Sequence, residues 1–301
     1  PGDINGVYIT YLTARGIMSG FPDGGFHPGQ GLTRAQAATM IARAMNLKAG
    51  KNGASGFKDT AASHWAAGYI AAAVKAGYIT GFPDGTFKPE QKLSRAQAIS
   101  LVCNLSKQMG TVTGVTLPEL KDMNQNHWAA RSMAAALDAG LIELKGEGII
   151  QPDSPITRGD LARALAMLLT TDPDLSNRKL YGTRNIKSGD VYLSRNGGKD
   201  SKSLSSTTQV GSGDQVETGR SGEAVINYPD GSSILLKNNS TLKIKQSQGR
   251  AYIKKNGQPG TAIDNLEVEL KNGKLFAGCL LYTSYAADDL HCVDLGGRRN
   301  L

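Results

Sequence analysis

The feature that most constrains this chain is a phrase it repeats. Gly77-Tyr78-Ile79-Thr80-Gly81-Phe82-Pro83-Asp84-Gly85-Thr86-Phe87-Lys88-Pro89 is followed by Leu93-Ser94-Arg95-Ala96-Gln97. Almost the same words stand earlier as Gly16-Ile17-Met18-Ser19-Gly20-Phe21-Pro22-Asp23-Gly24-Gly25-Phe26-His27-Pro28 and Leu32-Thr33-Arg34-Ala35-Gln36. Arg34 to Arg95 is 61 positions, and a worn third copy places Thr157-Arg158-Gly159-Asp160 63 positions after Arg95. Self-similarity at a near-fixed period means one small unit used several times, each copy covering apolar surface that its neighbour cannot bury alone.

The second copy is the most complete. Gly56-Phe57-Lys58-Asp59 leads to Ser63-His64-Trp65, and Tyr69, Ile70, Ala73 and Val74 then fall at helical spacing, with Gly77 placed to end the helix. Pro83-Asp84-Gly85 is a turn signal: Pro presets its φ, Asp bonds nearby backbone and Gly tolerates positive φ. Phe87 is expected to plug that turn onto the core. A second helix starts at Ser94 and runs through Ile99, Leu101, Val102 and Leu105. Ser94 and Gln97 form a capping box, as do Thr33 and Gln36, whereas Thr157 keeps the cap with the shorter Asp160 at the third helical position.

One feature does not follow from helix formation. Arg34, Arg95 and Arg158 each take the first helical position, where the helix dipole is positive and a cation is disfavoured by roughly 0.3–1 kcal/mol. Three misplaced cations call for a compensating anion. Either an acidic neighbour within the chain supplies it, or arginine and helix start together bind an external carboxylate or phosphate. The residues alone leave the two readings level. If the arginine serves binding alone, replacing Arg95 leaves the helix intact.

The third copy carries Lys121-Asp122, Asn126-His127-Trp128, a helix with Met133 and Leu137, and Gly140 as its stop; its turn has become Gly146-Glu147-Gly148. The first copy has neither the Phe-x-Asp nor the His-Trp part, and the chain reads as clipped at its start. Trp65 and Trp128 are equivalent positions, read either as core anchors of the first helix or as partly exposed platforms for a sugar ring. His64 and His127 read as helix-start residues and not as metal ligands.

These motifs together, Phe-x-Asp, His-Trp, Gly-Tyr-Ile-x-Gly-x-x-Asp-Gly-x-Phe-x-Pro and Ser/Thr-Arg-Ala-Gln, resemble the surface-layer homology domain in three copies over roughly residues 1–172. The resemblance implies three helical repeats folded as a pseudo-threefold trimer with grooves between them. Those grooves would hold the bacterial secondary cell-wall polymer, often through a ketal-pyruvate sugar, non-covalently and without catalysis. By motif, the expected ligand-binding residues are Arg34, Arg95, Arg158, Asp59, Asp122, Trp65 and Trp128. The sequence departs from the pattern where Gln36 and Gln97 replace the usual Glu, where Gly159-Asp160 replaces Ala-Glu, and where the first copy lacks Trp and Phe-x-Asp.

Beyond the repeats the period changes to two. Residues 173–185 read as a polar linker, Gly189–Leu193 as a strand, and 197–208 as a Gly/Ser/Lys/Thr-rich loop. Glu223–Tyr228 and Ser233–Leu236 flank Pro229-Asp230-Gly231 as a hairpin, and two further strands alternate around Leu242 and Ile244 and around Leu266, Val268 and Leu270. This predicts a small antiparallel β domain. Within it, Gly211-x-Gly-Asp-x-Val-x-Thr218, Ser221-Gly-Glu-Ala224, Tyr228-Pro-Asp-Gly-Ser232 and Leu236-Lys-Asn-Asn-Ser240-Thr-Leu242 resemble the FecR domain, without its usual Thr-Pro and Arg-Gly-Thr continuation. From Cys279 the sequence follows neither pattern and is similar to translated adapter read-through, so 279–301 is expected to be a non-native tail.

The fold expected is therefore α then β: repeats at 1–49, 50–112 and 113–172, the linker at 173–185 and the β domain at 186–278. At 301 residues and 40% hydrophobic content, two or three domains have material for their cores. The net charge of +8 is concentrated in 176–278, a solvated basic face or one suited to an anionic surface. Cys103, Cys279 and Cys292 show no metal spacing. No apolar run of about 18 residues implies a membrane span. No Gly-x-Ser-x-Gly, HExxH or phosphate loop marks an enzyme, and the Asp-Gly turns lack the spaced oxygens of a calcium loop. The reading is a non-enzymatic, extracellular wall anchor that displays a β module. It expects the wall polymer as partner and self-association in a surface layer as a further contact, with no cofactor, metal or nucleic acid. An anchored enzyme whose catalytic part lies elsewhere and a FecR-type signalling protein are the alternatives.

Overall fold

The computed structural model describes residues 5–50, 56–106, 115–195, 202–203 and 207–278. The chain divides into two compact units, Pro1–Ser176 with Ile253–Pro259, and Asn177–Tyr252 with Gly260–Leu301.

In the first unit each repeat contributes two helices. The first repeat gives α1 (Gly6–Ala14) and α2 (Arg34–Ala44), the second α3 (Ala67–Lys75) and α4 (Arg95–Cys103), and the third α5 (Ala130–Asp138) and α6 (Arg158–Thr171). A short α7 (Pro173–Ser176) follows. The second helix of each repeat packs on the first helix of the next: α2 on α3, α4 on α5, and α6 back on α1. Alanines make this close approach possible, with Ala35, Ala38 and Ala42 of α2 buried against Ala66, Ile70 and Ala73. Phe87 is fully buried in the same cluster, as the turn reading requires.

The strand-like residues before α2, α4 and α6 tie the repeats together. Leu93 donates its amide to the Leu32 carbonyl, Ile156 to Leu93, and Leu32 to Ile156, at 3.0–3.1 Å, so three hydrogen bonds close a ring. Helices α1, α3 and α5 end next to Gly16, Gly77 and Gly140, each with φ near 70° (67°, 77° and 67°), where a side chain would be strained. The third turn keeps its geometry without Pro-Asp-Gly. The Lys121 amide donates to Gly148 at 2.7 Å, as Lys58 does to Gly85 at 3.0 Å. Only the left-handed glycine and the carbonyl it presents are needed there, so the sequence difference exaggerates the structural one.

The second unit is a pair of antiparallel sheets around one core. One has the order β1-β9-β6-β3-β4 with β10 on β9, and the other β11-β8-β7-β2-β5. The strands are β1 (Asn177–Lys179), β2 (Gly182–Ser188), β3 (Val191–Ser194), β4 (Lys202–Ser203), β5 (Thr207–Val210), β6 (Gln215–Thr218), β7 (Glu223–Asn227), β8 (Ser233–Leu236), β9 (Thr241–Ile253), β10 (Pro259–Asn272) and β11 (Leu275–Gly278). Val191, Leu193, Val216, Leu242 and Ile244 from one sheet meet Val210, Ala224, Ile226, Ile234 and Leu236 from the other. The period-two alternation places these side chains on the inner faces.

Two readings need correction. Residues 173–185 are not a linker: they form α7, β1 and the start of β2, so the β unit begins at 177 and not at 186. The loop read at 197–208 contains β4 and the start of β5, and its other residues through 206 lie outside the described residues. The tail read at 279–301 also lies outside them.

Candidate functional site

Helix starts set the site's geometry. A helix leaves its first amides unpaired. Here those of the first two residues are taken by carbonyls from the turn of the following repeat. Arg34 and Ala35 donate to Gln91 and Pro89, Arg95 and Ala96 to Ser154 and Pro152, and Arg158 and Gly159 to Gln30 and Pro28, at 2.8–2.9 Å. The third amide goes to the cap: Gln36 to Thr33, Gln97 to Ser94 and Asp160 to Thr157. The idea that arginine and helix amides jointly hold an external anion is therefore corrected. The amides are filled from within, and the guanidinium groups are what remain.

Each guanidinium reaches across to the next repeat. Nε of Arg34 donates to the Phe87 carbonyl at 2.7 Å and Nη2 to Thr80 at 2.9 Å, while the rings of Phe82 and Phe87 lie under the cation. Arg158 repeats this on the first copy, donating to Phe26 at 2.9 Å and Ser19 at 2.7 Å, with the rings of Phe21 and Phe26 against it. Carbonyl dipoles and aromatic faces thus do much of what a counter-ion would do. Arg34 and Arg158 are only 9% and 7% exposed, yet neither has a carboxylate partner among the described residues. Burial draws the pKa of both below the usual arginine range, and the nearby Asp59 charge opposes this at Arg34.

Arg95 differs. Its Nη2 donates to the Glu143 carbonyl at 2.8 Å, the counterpart of Thr80 and Ser19, but its Nη1 pairs with Asp160 at 2.9 Å. Asp160 also takes Lys145 at 2.7 Å. The Asp160 carboxylate therefore does not close a capping box as Gln36 and Gln97 do. A small cavity of about 80 Å³ sits here, with Arg95, Glu143, Lys145, Asp160 and Arg163 in its wall.

Asp59 and Asp122 hold the turns. Asp59 accepts from the amides of Phe87 at 2.8 Å and Lys88 at 2.7 Å; Asp122 accepts from Ile150 at 3.0 Å and Gln151 at 2.7 Å. Lys88 and Gln151 both have φ of 56°, a conformation that costs a non-glycine residue energy. The aspartate clamps this strained amide. Partial burial would raise the Asp59 pKa, but the Phe87 and Lys88 amides more than offset it and hold the carboxyl below the ordinary value.

Trp65 and Trp128 are 60% and 64% exposed, so they are not core anchors. Each packs near the preceding histidine ring, at 5.7 and 5.6 Å between centroids. His64 and His127 accept the amides of Ala66 and Ala129 on Nδ1, as helix-start residues do. Among the described residues no group of His, Cys, Asp and Glu could hold a metal. The partners that sequence reasoning missed are Phe21, Phe26, Phe82, Lys145 and the carbonyls of Ser19, Thr80 and Glu143. The turn phenylalanines were the available signal, since two in each of the first two copies exceed what one plug needs.

The class is thus a helical repeat module in which every repeat's arginine is inserted into the next repeat's turn. Residues 7–38, 56–99 and 119–162 each match the model of the S-layer homology domain. Cell surface glycoprotein 1 of Acetivibrio thermocellus is 31% identical over 191 residues, 60% of this chain and 8% of that protein. A cellulosome-anchoring protein of the same organism is 35% identical over 130 residues, 42% of this chain and 28% of that one. An uncharacterized cell wall amidase of Bacillus anthracis is 31% identical over 178 residues, 59% of this chain and 33% of that protein. The chain spans a third or less of the length of each of these relatives.

Proposed function

We propose that the repeats hold this protein non-covalently to a carboxylate-bearing bacterial cell-wall polysaccharide and display the β unit at the surface. Cell-wall anchoring through S-layer homology repeats makes this a cell-surface, wall-associated protein. The supporting observation is the pair of buried guanidinium groups, Arg34 and Arg158, that the described residues leave without a carboxylate. A pyruvyl ketal on a wall sugar carries the missing anion on a compact, rigid group, and an arginine held in place loses little entropy on meeting it. The exposed faces of Trp65 and Trp128 are suited to stack on sugar rings. In this reading the closed ring of Leu32, Leu93 and Ile156 hydrogen bonds is the centre of a pseudo-threefold unit, and polymer lies in grooves between repeats. Asp59 and Asp122 act by holding the groove wall.

This part of the protein is read as non-catalytic, with the β unit as cargo related to FecR domains and with surface-layer self-association as a further contact. The likeness to a protein named as an amidase favours one second reading, an anchored enzyme; zymography of the full-length protein on peptidoglycan tests it. The anchoring reading is tested by sedimentation with purified sacculi. The chain is expected to pellet with intact sacculi and to stay in solution after hydrofluoric acid has stripped the polymer. Retention on stripped sacculi would contradict it.

A further inference from the structure

The three arginine positions are not chemically equal, and the differences fall together at one place. Around Arg34 and Arg158 the next repeat supplies two phenylalanines, Phe82 and Phe87 or Phe21 and Phe26. In the third repeat, 63 positions on from the second, those two places are Lys145 and Ile150. The residue that is Gln36 or Gln97 in the other copies is Asp160. Arg95 has accordingly turned: its Nε, which in the other copies takes the carbonyl of the second phenylalanine, is buried without a partner, and Nη1 points to Asp160. Arg95 is 3% exposed, and Asp160 bridges it to Lys145.

We infer that Asp160 is a built-in occupant of the groove between the second and third repeats, supplying from within the carboxylate that Arg34 and Arg158 leave to the polymer. This rests on the anchoring function proposed above. An incoming carboxylate at Arg95 would have to displace Asp160 from two cations, while at the other two arginines no carboxylate of the described residues is paired with the guanidinium. The chain therefore offers two anion-binding grooves, and in the third, which keeps its small cavity, the cation is already paired by the chain's own carboxylate. Lys145 belongs to this pairing, because it replaces an aromatic ring with a second charge that holds Asp160 in place.

The test is calorimetric stoichiometry with a methyl hexosaminide carrying a pyruvyl ketal, and the unketalated glycoside as control. The wild type is expected to bind two per chain, Asp160→Gln three, and Gln97→Asp, which places the same carboxylate in the second repeat's position, one. Gln is the residue already present at this position beside the other two arginines, and Gln97→Asp gives an independent answer if Asp160→Gln does not fold. Three sites in the wild type, no gain in a natively folded Asp160→Gln, or no loss in Gln97→Asp overturns the inference while leaving anchoring intact. Absence of binding by every variant overturns the anchoring reading, and this inference with it.

Discussion

A buried arginine whose charge is met by carbonyls and rings is held by its shape as much as by its charge. At Arg34 the planar fork spans the carbonyls of Thr80 and Phe87, which a lysine cannot do. Arg34→Lys should therefore lose about 1–3 kcal/mol of stability, measured by urea unfolding, although the positive charge is retained. Arg95→Ala, read from the sequence as leaving the helix intact, would here strand Asp160 and Lys145. Asp59 makes a second prediction. Its carboxyl is held below its ordinary value of 3.8 because the anion is what accepts from Phe87 and Lys88. A lowered folded pKa gives stability that is present above the unfolded value and is lost as pH falls through the folded one. Asp59→Asn should lower stability at neutral pH and flatten its decline in this acid range. An acid unfolding profile unchanged by Asp59→Asn would show that the clamp does not depend on ionisation.

At the scale of the element, the turn after each first helix is the part that both fold and site share. Gly81 lies at its entrance, and a Cβ there would sit 2.1 Å from the ring of Phe57 and 2.9 Å from the Thr86 carbonyl. Its counterpart Gly20 would meet only the Gly25 backbone, at 3.1 Å. Gly81→Ala should cost about 1–3 kcal/mol by overpacking, and Gly20→Ala clearly less, in parallel thermal melts. The difference comes from Phe57, the Phe-x-Asp residue that the first copy does not have in this sequence. Much of this was legible in advance: the helix caps, the glycine stops and the buried Phe87 all follow from local rules. The arginine contacts did not, because their partners lie in another repeat and no local window shows them. The third turn looked lost because Gly146-Glu147-Gly148 lacks proline and aspartate, yet Gly148 alone supplies the positive φ. The stretch 173–185 read as linker because it is polar. One of its charged residues, Arg184, is in fact fully buried within β2.

On the scale of the whole molecule, the first unit closes on itself while the β unit keeps its own core. Among the described residues no helix is long and apolar enough to cross a membrane. In the proposed anchoring, the repeats hold the wall through polar contacts. A binding mode that depends on carboxylates meeting arginines should weaken with salt, though less than an exposed charge pair would, since Arg34 and Arg158 are largely buried. The aromatic and hydrogen-bonding parts of the contact should persist.

The central claim is that the wall polymer is recognised through its carboxylates. The most direct measurement compares binding of the wild-type chain to purified wall polymer before and after selective removal of its pyruvyl ketals by mild acid, with the sugar backbone left intact. Affinity is expected to fall at least tenfold when the carboxylates go, which corresponds to about 1.4 kcal/mol or more. Equal affinity for the two polymers would contradict it and would assign recognition to the sugar backbone alone.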